Sequence, residues 1–478
     1  MPNNGNKSTL ANNAFDASET QVRFRSYYAN GAYTFDQKYS FNASWRIDGS
    51  NLFGIDKSAQ NKPVWSMGGK WMASQEAFLS SVKWMDDLAL RATYGITGNA
   101  PNPGAASSYD ILRGVTGSAL PGGTGLIIAT AANSKLTWER TRTVNIGLDF
   151  SLLNRRIEGA IDFYNKKTDN LLGELPTNSL TGYPSVVGNL GALENKGVEI
   201  TLTTLNVQAK RFNWTSQLAM AYNKNRVVKL NSLNSLTTGA QQIQQKYVEG
   251  YSAFAIFAYD YAGLNDKGDP KITLQDKTVT SSRNVATPED VVFMGAYQPV
   301  WSGGLANRFN FGSFRLTVNT VFNLGHVMRR DVNLFYAGRL THNNMATGGF
   351  TTGNLHTEFL NRWKKPGDEL ITNIPSYLVN TSTSDTRRDV SYYQYGDLNV
   401  LDASFIKIRD ISFSYTLPRN LSQRLKAEFI DVRLQLGNVM LWKANKYDID
   451  PEFQDAFTGT RSLQSGQHTL TLGLHVNF

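Results

Sequence analysis

Residues 469–478, TLTLGLHVNF, decide the class of fold. Leu470, Leu472, Leu474, Val476 and Phe478 fall on one side of an extended chain, and Thr469, Thr471, Gly473, His475 and Asn477 on the other. Side chains alternate across a strand, so one face is apolar and the other polar or small. A soluble sandwich could contain such a strand. Repetition of the pattern, and the spacing of the gaps between repeats, separates the two readings. A last strand ending in an aromatic also suits a membrane barrel, whose final strand must pair with its first.

Working outward, the pattern recurs. Residues 404–417 form a strand whose alternation slips by one near Arg409-Asp410: Ile406 and Ile408 share a face, then Ile411, Phe413 and Tyr415. Such a slip predicts a β-bulge. Val432, Leu434 and Leu436 continue the series before a loop at 445–467. Upstream, residues 299–310 and 314–326 read as a hairpin turning at Phe311-Gly312-Ser313, and Trp214, Leu218, Met220 and Tyr222 line a strand paired with that of Val198, Ile200 and Leu202. Val144 to Leu152 turns at Leu153-Asn154-Arg155 into Ile157, Gly159, Ile161 and Phe163. Strands are also predicted over 22–35, from Tyr39 through Ile47, over 63–72 and over 88–96, with a helix-like connection at 75–87. Between strands lie long gaps at 98–135, 168–196, 225–298 and 327–402, and residues 1–21 are a polar lead.

The repeats number about thirteen, with short and long gaps in alternation, as in a transmembrane antiparallel β-barrel with tight periplasmic turns at one rim and long extracellular loops at the other. A sandwich has no reason to put its long connections at one end. Positions opposite the apolar face hold Asp149, Glu199, Gln217, Arg315 and Arg433, which suit a wet lumen because unpaired buried charge is costly. No apolar run approaches the roughly 18 residues of a membrane helix, which leaves a barrel open. The 478 residues include 12% aromatics, 40 Gly and no Cys, which excludes disulfides and thiolate metal sites. The net charge of +9 is dispersed without a basic block, so no nucleic-acid partner is expected. The first residues lack a basic stretch followed by an apolar one, so a secretory signal would lie elsewhere. An odd strand count also disagrees with the even numbers of bacterial single-chain barrels. The chain is therefore expected to be the C-terminal part of a larger barrel, completed by an N-terminal segment or a second polypeptide, with the C-terminus periplasmic.

Several stretches resemble one family in order. They are Lys38-Tyr39 followed by Arg46-Ile47-Asp48-Gly49-Ser50 and Phe53-Gly54, then 88–99 (LALRATYGITGN), 136–150 (LTWERTRTVNIGLDF) and 163–168 (FYNKKT). The series continues with 191–200 (GALENKGVEI), 362–368 (RWKKPGD), 402–418 (DASFIKIRDISFSYTLP) and 448–453 (DIDPEF). Together they resemble the C-terminal barrel portion of a SusC/RagA-type TonB-linked outer-membrane transporter. That resemblance implies a barrel of about 22 strands, of which about nine are absent here, around an N-terminal plug with a TonB box upstream, also absent. It further implies a Gram-negative outer-membrane location, a SusD-like surface lipoprotein as lid, oligosaccharide or peptide cargo, and energy supplied through TonB. A passive or structural barrel without a plug, such as a porin or surface scaffold, is the alternative. A soluble carbohydrate-binding β protein is a third reading, which would require solubility without detergent.

No catalytic constellation is evident, so an enzyme is not expected. His326, His342, His356, His468 and His475 lack metal spacing and a partnered nucleophile. Gly122-Gly123-Thr124-Gly125 is too loose for a phosphate cradle. Asn265-Asp266-Lys267-Gly268-Asp269 resembles part of a calcium loop without its terminal bidentate Glu, and lies in a stretch also similar to the family. Tyr251, Phe254, Phe257, Tyr259 and Tyr261 are the candidates for contact with cargo or lid, weighed against packing inside a loop domain. Trp65, Trp71, Trp84, Trp138 and Trp301 are expected at strand ends as an interfacial girdle.

Overall fold

The structure is a computed structural model that describes residues 21–51, 62–100, 109–116, 124–133, 135–176, 185–231, 236–245, 247–330, 332, 357–377, 388–389, 391–459 and 468–478. Most of the polar lead, Phe53-Gly54, Gly122-Gly123, His342 and His356 lie outside them.

Thirteen strands form one antiparallel sheet in which neighbours in sequence are neighbours in space. They are β1 Phe24–Phe35, β2 Tyr39–Ser50, β3 Pro63–Met72, β4 Met85–Asn99, β5 Glu139–Leu152, β6 Ile157–Pro176 and β7 Ser185–Gln208. β8 Phe212–Leu230, β9 Trp301–Phe311, β10 Phe314–Leu324, β11 Phe405–Thr416, β12 Phe429–Lys443 and β13 Thr469–Asn477 complete the wall. No helix among the described residues is long and apolar enough to cross a membrane, which says nothing of a barrel.

Local chemistry sets the turns. Asp36 and Gln37 both take positive φ and the Lys38 N–H donates to the Phe35 carbonyl, so the β1–β2 hairpin closes tightly over three residues between the paired Phe35 and Tyr39. Leu153, Asn154 and Arg155 take φ near +58 in succession, and Gly312 supplies +56 between β9 and β10. These short turns and the connection at residues 209–211 lie at one rim, and the long connections lie at the other. The helix-like stretch resolves into two single turns, Ala73–Gln75 and Ala77–Leu79, before β4.

The bulge predicted near Arg409 is present: Asn319 pairs with Asp410 and Thr320 with Ile408, so Arg409 is skipped. Along the last strand Leu470, Leu472 and Leu474 are about 70% exposed, as lipid-facing side chains must be in the absence of lipid. On the opposite face Glu199, Gln217, Arg315 and Arg433 are also exposed, giving a wet inner surface. There Arg91 grips Asp149 with bonds of 2.8–3.0 Å, reaches Asp162 at 3.0 Å, and Lys70 lies 3.4 Å from Asp149. One ionic ladder thus staples four consecutive strands, β3 to β6, on the lumen side. Glycines let large rings lie flat against that wall: a Cβ on Gly197 would meet the Tyr164 ring at 2.4 Å.

Three strands run further than the alternation predicted. β6 continues to Pro176, β7 begins at Ser185 and β8 continues to Leu230, so the gaps expected from 168 and from 225 open later. Beyond the lipid band both faces are wet, and the apolar half of the pattern gives way to charges such as Arg142, Lys167, Lys196 and Lys224. Hydrogen bonding continues where the periodic signal stops. Likewise the loop expected at 98–135 contains a hairpin, Ile111–Thr116 with Thr124–Thr130.

The wall is open. Neither the outer edge of β1 nor that of β13 is paired among the described residues. Both strands run toward the short-turn rim, since β1 enters the Asp36-Gln37 turn and β13 descends from the long loop after β12. They cannot pair antiparallel with each other.

Candidate functional site

On the long-loop rim the connections β8–β9, β10–β11 and β12–β13 fold together into one assembly with its own core. The first supplies the helix Gly239–Gln244, opened by a capping box between Thr238 and Gln241, and short strands including Ala255–Tyr259 and Val291–Ala296, which pair. The second supplies Val327–Arg329 and Val400–Asp402, also paired. Ile243, Phe257, Tyr259, Ile272 and Tyr392 form the largest apolar cluster, and Phe359, Ile374 and Tyr393 a second.

Two adjacent arginines tie the three connections. Arg329 donates from Nη2 to the Phe257 carbonyl at 2.6 Å, lies over the rings of Tyr395 and Phe457, and its carbonyl accepts from the Gln454 amide. Burial pushes its guanidinium down to about 10. Arg330 donates from Nη1 to both Glu358 oxygens at 2.6 and 2.7 Å and from Nε and Nη2 to Asn399 Oδ1, beneath the Tyr447 ring. Lys407, 1% exposed near the long-loop end of β11, holds Asp450 at 2.6 Å and Glu452 at 2.7 Å, while Arg409 reaches the other oxygen of Glu452. Burial alone would raise the Glu452 carboxyl. Its bonds to Arg409 and Lys407 outweigh that and hold it below the usual carboxylate value.

Two pairs of family-like stretches therefore meet in space. Residues 402–418 grip 448–453 through Lys407 and Arg409. Gly268 of 265–269 packs on Trp363 of 362–368, where a Cβ would come within 2.6 Å of the indole. These stretches are legible in sequence, whereas the roles of Arg329, Arg330, Lys407 and Arg388 within them or beside them are not. A signal existed in Lys407 and Arg409 of one stretch and in Asp450 and Glu452 among the three carboxylates of the other, but nothing in sequence distance links positions over 40 residues apart.

The calcium-loop candidate is a self-closed turn. Asn265 Oδ1 accepts from the backbone N–H groups of Lys267 and Asp269, and Arg388 Nη1 lies 3.7 Å from the Asp269 carboxylate. A cation there would have to displace a buried guanidinium. Among the described residues no group of three or more His, Asp or Glu is placed to hold a metal.

The five aromatic candidates separate. Phe257 and Tyr259 are buried in the core, with the Tyr259 phenol pushed up to about 12 by burial. Tyr261 is half-buried and packs on Tyr393, and Phe254 packs on Tyr297. Tyr251 alone of the five is exposed, its ring 5.1 Å from that of the equally exposed Phe293. Of the tryptophans, Trp84 and Trp301 are exposed at strand ends as expected of a girdle, whereas Trp138 is buried beside the start of β5. His326 is buried against Phe405, and burial lowers its imidazole to about 4, so it is neutral at physiological pH.

Comparison with known proteins gives the same reading of the wall. Residues 2–359 match the family described as TonB dependent receptor-like, beta-barrel. The chain belongs to that family. Its members are receptors and transporters of the outer membrane and not enzymes. Among relatives, TonB-dependent receptor P39 of Formosa agariphila is 26% identical over 98% of this chain and 47% of its own length. TonB-dependent receptor SusC of Bacteroides thetaiotaomicron is 31% identical over 53% of this chain and 26% of its own. A solved structure of the RagAB peptide transporter superposes with a TM-score of 0.75 at 22% identity, covering 96% of this chain and 47% of that one. The chain spans about half the length of the curated relatives that match most of it.

Proposed function

We propose that this chain forms the C-terminal half of the barrel of an active outer-membrane importer, with its long-loop rim outside and its C-terminus in the periplasm. The observation that carries the reading is the open wall: thirteen strands with a wet inner face and two free edges that run in the same direction. An all-antiparallel closure needs an odd number of further strands between those edges, and relatives about twice as long have room for them. The completing portion, on the same or a separate polypeptide, would carry a plug energised through TonB.

The folded loop assembly beside the lumen mouth supports cargo larger than a porin passes, a glycan or a peptide, captured under a SusD-like surface lipoprotein. SusC and the RagAB peptide transporter are similar proteins, and likeness to them leaves both cargo classes in play. Tyr251 and its neighbour Phe293 are the exposed aromatic surface we assign to contact with cargo or lid, with the buried Phe257 packed behind both.

The test is extraction from outer membranes in mild detergent, followed by native and denaturing mass measurement. The expected result is a complex containing a plug-bearing portion and a surface lipoprotein, whose uptake of its cargo stops when the proton gradient is dissipated. A lone closed barrel with gradient-independent flux would replace this reading by the passive one.

A further inference from the structure

The stretches of β5 to β8 that rise past the apolar band carry an unusual outward face. Along each strand an apolar or aromatic side chain on that face is followed by charged ones, directly on β5, β7 and β8 and after one amide on β6. Val144 is followed by Arg142 and Arg140, and Phe163 by Asn165, Lys167 and Asp169. On the neighbouring strands Val198 is followed by Lys196 and Glu194, and Tyr222 by Lys224 and Arg226. All six cations are exposed.

Register makes them one surface. Arg142 lies opposite Lys167, Lys167 opposite Glu194 and Glu194 opposite Arg226, while Lys196 lies opposite Lys224. Six cations face two carboxylates, Asp169 and Glu194, which pair with Arg142, Lys167 and Lys196. Arg140, Lys224 and Arg226 make no ion pair among the described residues. Directly opposed like charges such as Lys196 and Lys224 destabilise a sheet, so the surface has charge left for an outside anion. The lumen side of the same stretches carries fewer charges: Asn195, Asn223 and Asn225 lie there, with Asn225 donating to Asn195 at 2.7 Å, and Lys166 is engaged over the Tyr164 ring.

A second observation fixes the depth. Tyr222 and Trp301 pack as a tilted pair at the top of the apolar band, with ring centroids 4.8 Å apart, and Phe163 is exposed two strands away. Amphipathic rings sit at headgroup level. The cations begin one outward step, about 7 Å, beyond the last such ring or Val on β5, β7 and β8 and two steps, about 14 Å, beyond Phe163 on β6, which is headgroup depth and not bulk solvent.

We propose that the outward face of β5 to β8 beyond the apolar band binds phosphate-bearing lipid headgroups of the surrounding leaflet. This rests on the reading of the wall as a membrane barrel, not on import. The probe is the complete transporter, purified from its own membrane, carrying Lys196→Ala, Lys224→Ala and Arg226→Ala together, cations whose loss leaves the Arg142–Asp169 and Lys167–Glu194 pairs in place. Native mass measurement is expected to show about tenfold less retained phosphate-bearing lipid than in the unaltered protein, because each cation near an anionic surface contributes to the attraction. Retention should return with Lys196→Arg, Lys224→Arg and Arg226→Lys. On transfer to bilayers, the unaltered protein should be stabilised by phosphatidylglycerol over phosphatidylcholine, and excess inorganic phosphate should not remove the difference. Equal retention in all variants, with heat-modifiable migration intact, overturns the proposal. Displacement of the lipid by inorganic phosphate would identify a free-anion site and overturn it too. A failure of energised uptake would leave these readouts unchanged and bear only on the import reading.

Discussion

In the wall, Leu148 faces Leu90 on one neighbouring strand and Ile161 on the other, partners fixed by ladder register. In the loop assembly, Arg329 touches Phe257, Tyr395, Gln454 and Ala456, brought from three connections. The wall repeats one kind of contact many times, so any single loss is diluted. The loop assembly concentrates its order in a few buried cations. Mutation should therefore act locally and weakly in the wall, and locally and strongly in the loops.

Arg330→Ala is the sharpest way to break that contrast. It leaves Glu358 and Asn399 without their shared donor, and breaking a largely buried ion pair costs about 3–5 kcal/mol. Hydrogen exchange at the amides of residues 392–399 should accelerate by two orders of magnitude or more, while β6 and β7 stay protected. If the wall loosened equally, the two regions would be one cooperative unit.

Lys407→Met comes next, at about 2–3 kcal/mol, because Arg409 still holds Glu452. The released segment is 444–459, read by limited proteolysis. The same segment should respond to acid. The Glu452 carboxyl has a lower pKa folded than unfolded, so the stabilisation it supplies is complete above the ordinary carboxylate value and is lost as pH falls through the folded one. Cleavage at 444–459 should rise below about pH 4 in the unaltered protein. In Lys407→Met the rise should be shallower. An unchanged acid profile in that variant would show that Lys407 does not set the Glu452 equilibrium.

Gly197→Ala tests the wall. A Cβ there would lie 2.4 Å from both the Tyr164 ring and the Tyr222 carbonyl, and overpacking of this kind costs about 1–3 kcal/mol. Heat-modifiable migration should shift to lower temperature with the loops still protected from protease. Adding Tyr164→Ala should recover part of the loss, because it removes the ring and leaves the carbonyl contact.

The wall was legible because its signal is local. Alternation of Leu470 to Phe478, the slip at Arg409 and the turn at Leu153-Asn154-Arg155 each follow from neighbours in sequence. Strand ends were less legible, since a strand that leaves lipid keeps its hydrogen bonds and loses its apolar face, as β6, β7 and β8 do. The loop assembly was legible only as resemblance. Lys407 sits between Ile406 and Ile408 like any other polar alternate, and its carboxylate partners are 43 and 45 residues away. Phe257 and Tyr251 look alike in sequence. Burial of the first and exposure of the second follow from contacts with Phe293, Tyr392 and their neighbours, which no local pattern encodes.

That last pair supplies the smallest expected effect on stability and the most informative one on function. Tyr251→Ala removes an exposed ring whose backbone carbonyl still accepts from Val227 at 2.7 Å, so the local fold should change by about 0.5 kcal/mol or less. If the exposed aromatic surface meets cargo or lid, the variant should lose about tenfold in affinity at unchanged thermal stability, since a contact aromatic is among the residues that dominate an interface. Tyr251→Phe should keep most of the binding if the ring face is used and lose it if the hydroxyl is. Full binding by Tyr251→Ala would remove this residue from the contact surface and leave all five aromatics as packing, which makes the loop assembly a scaffold whose recognition lies elsewhere on its surface.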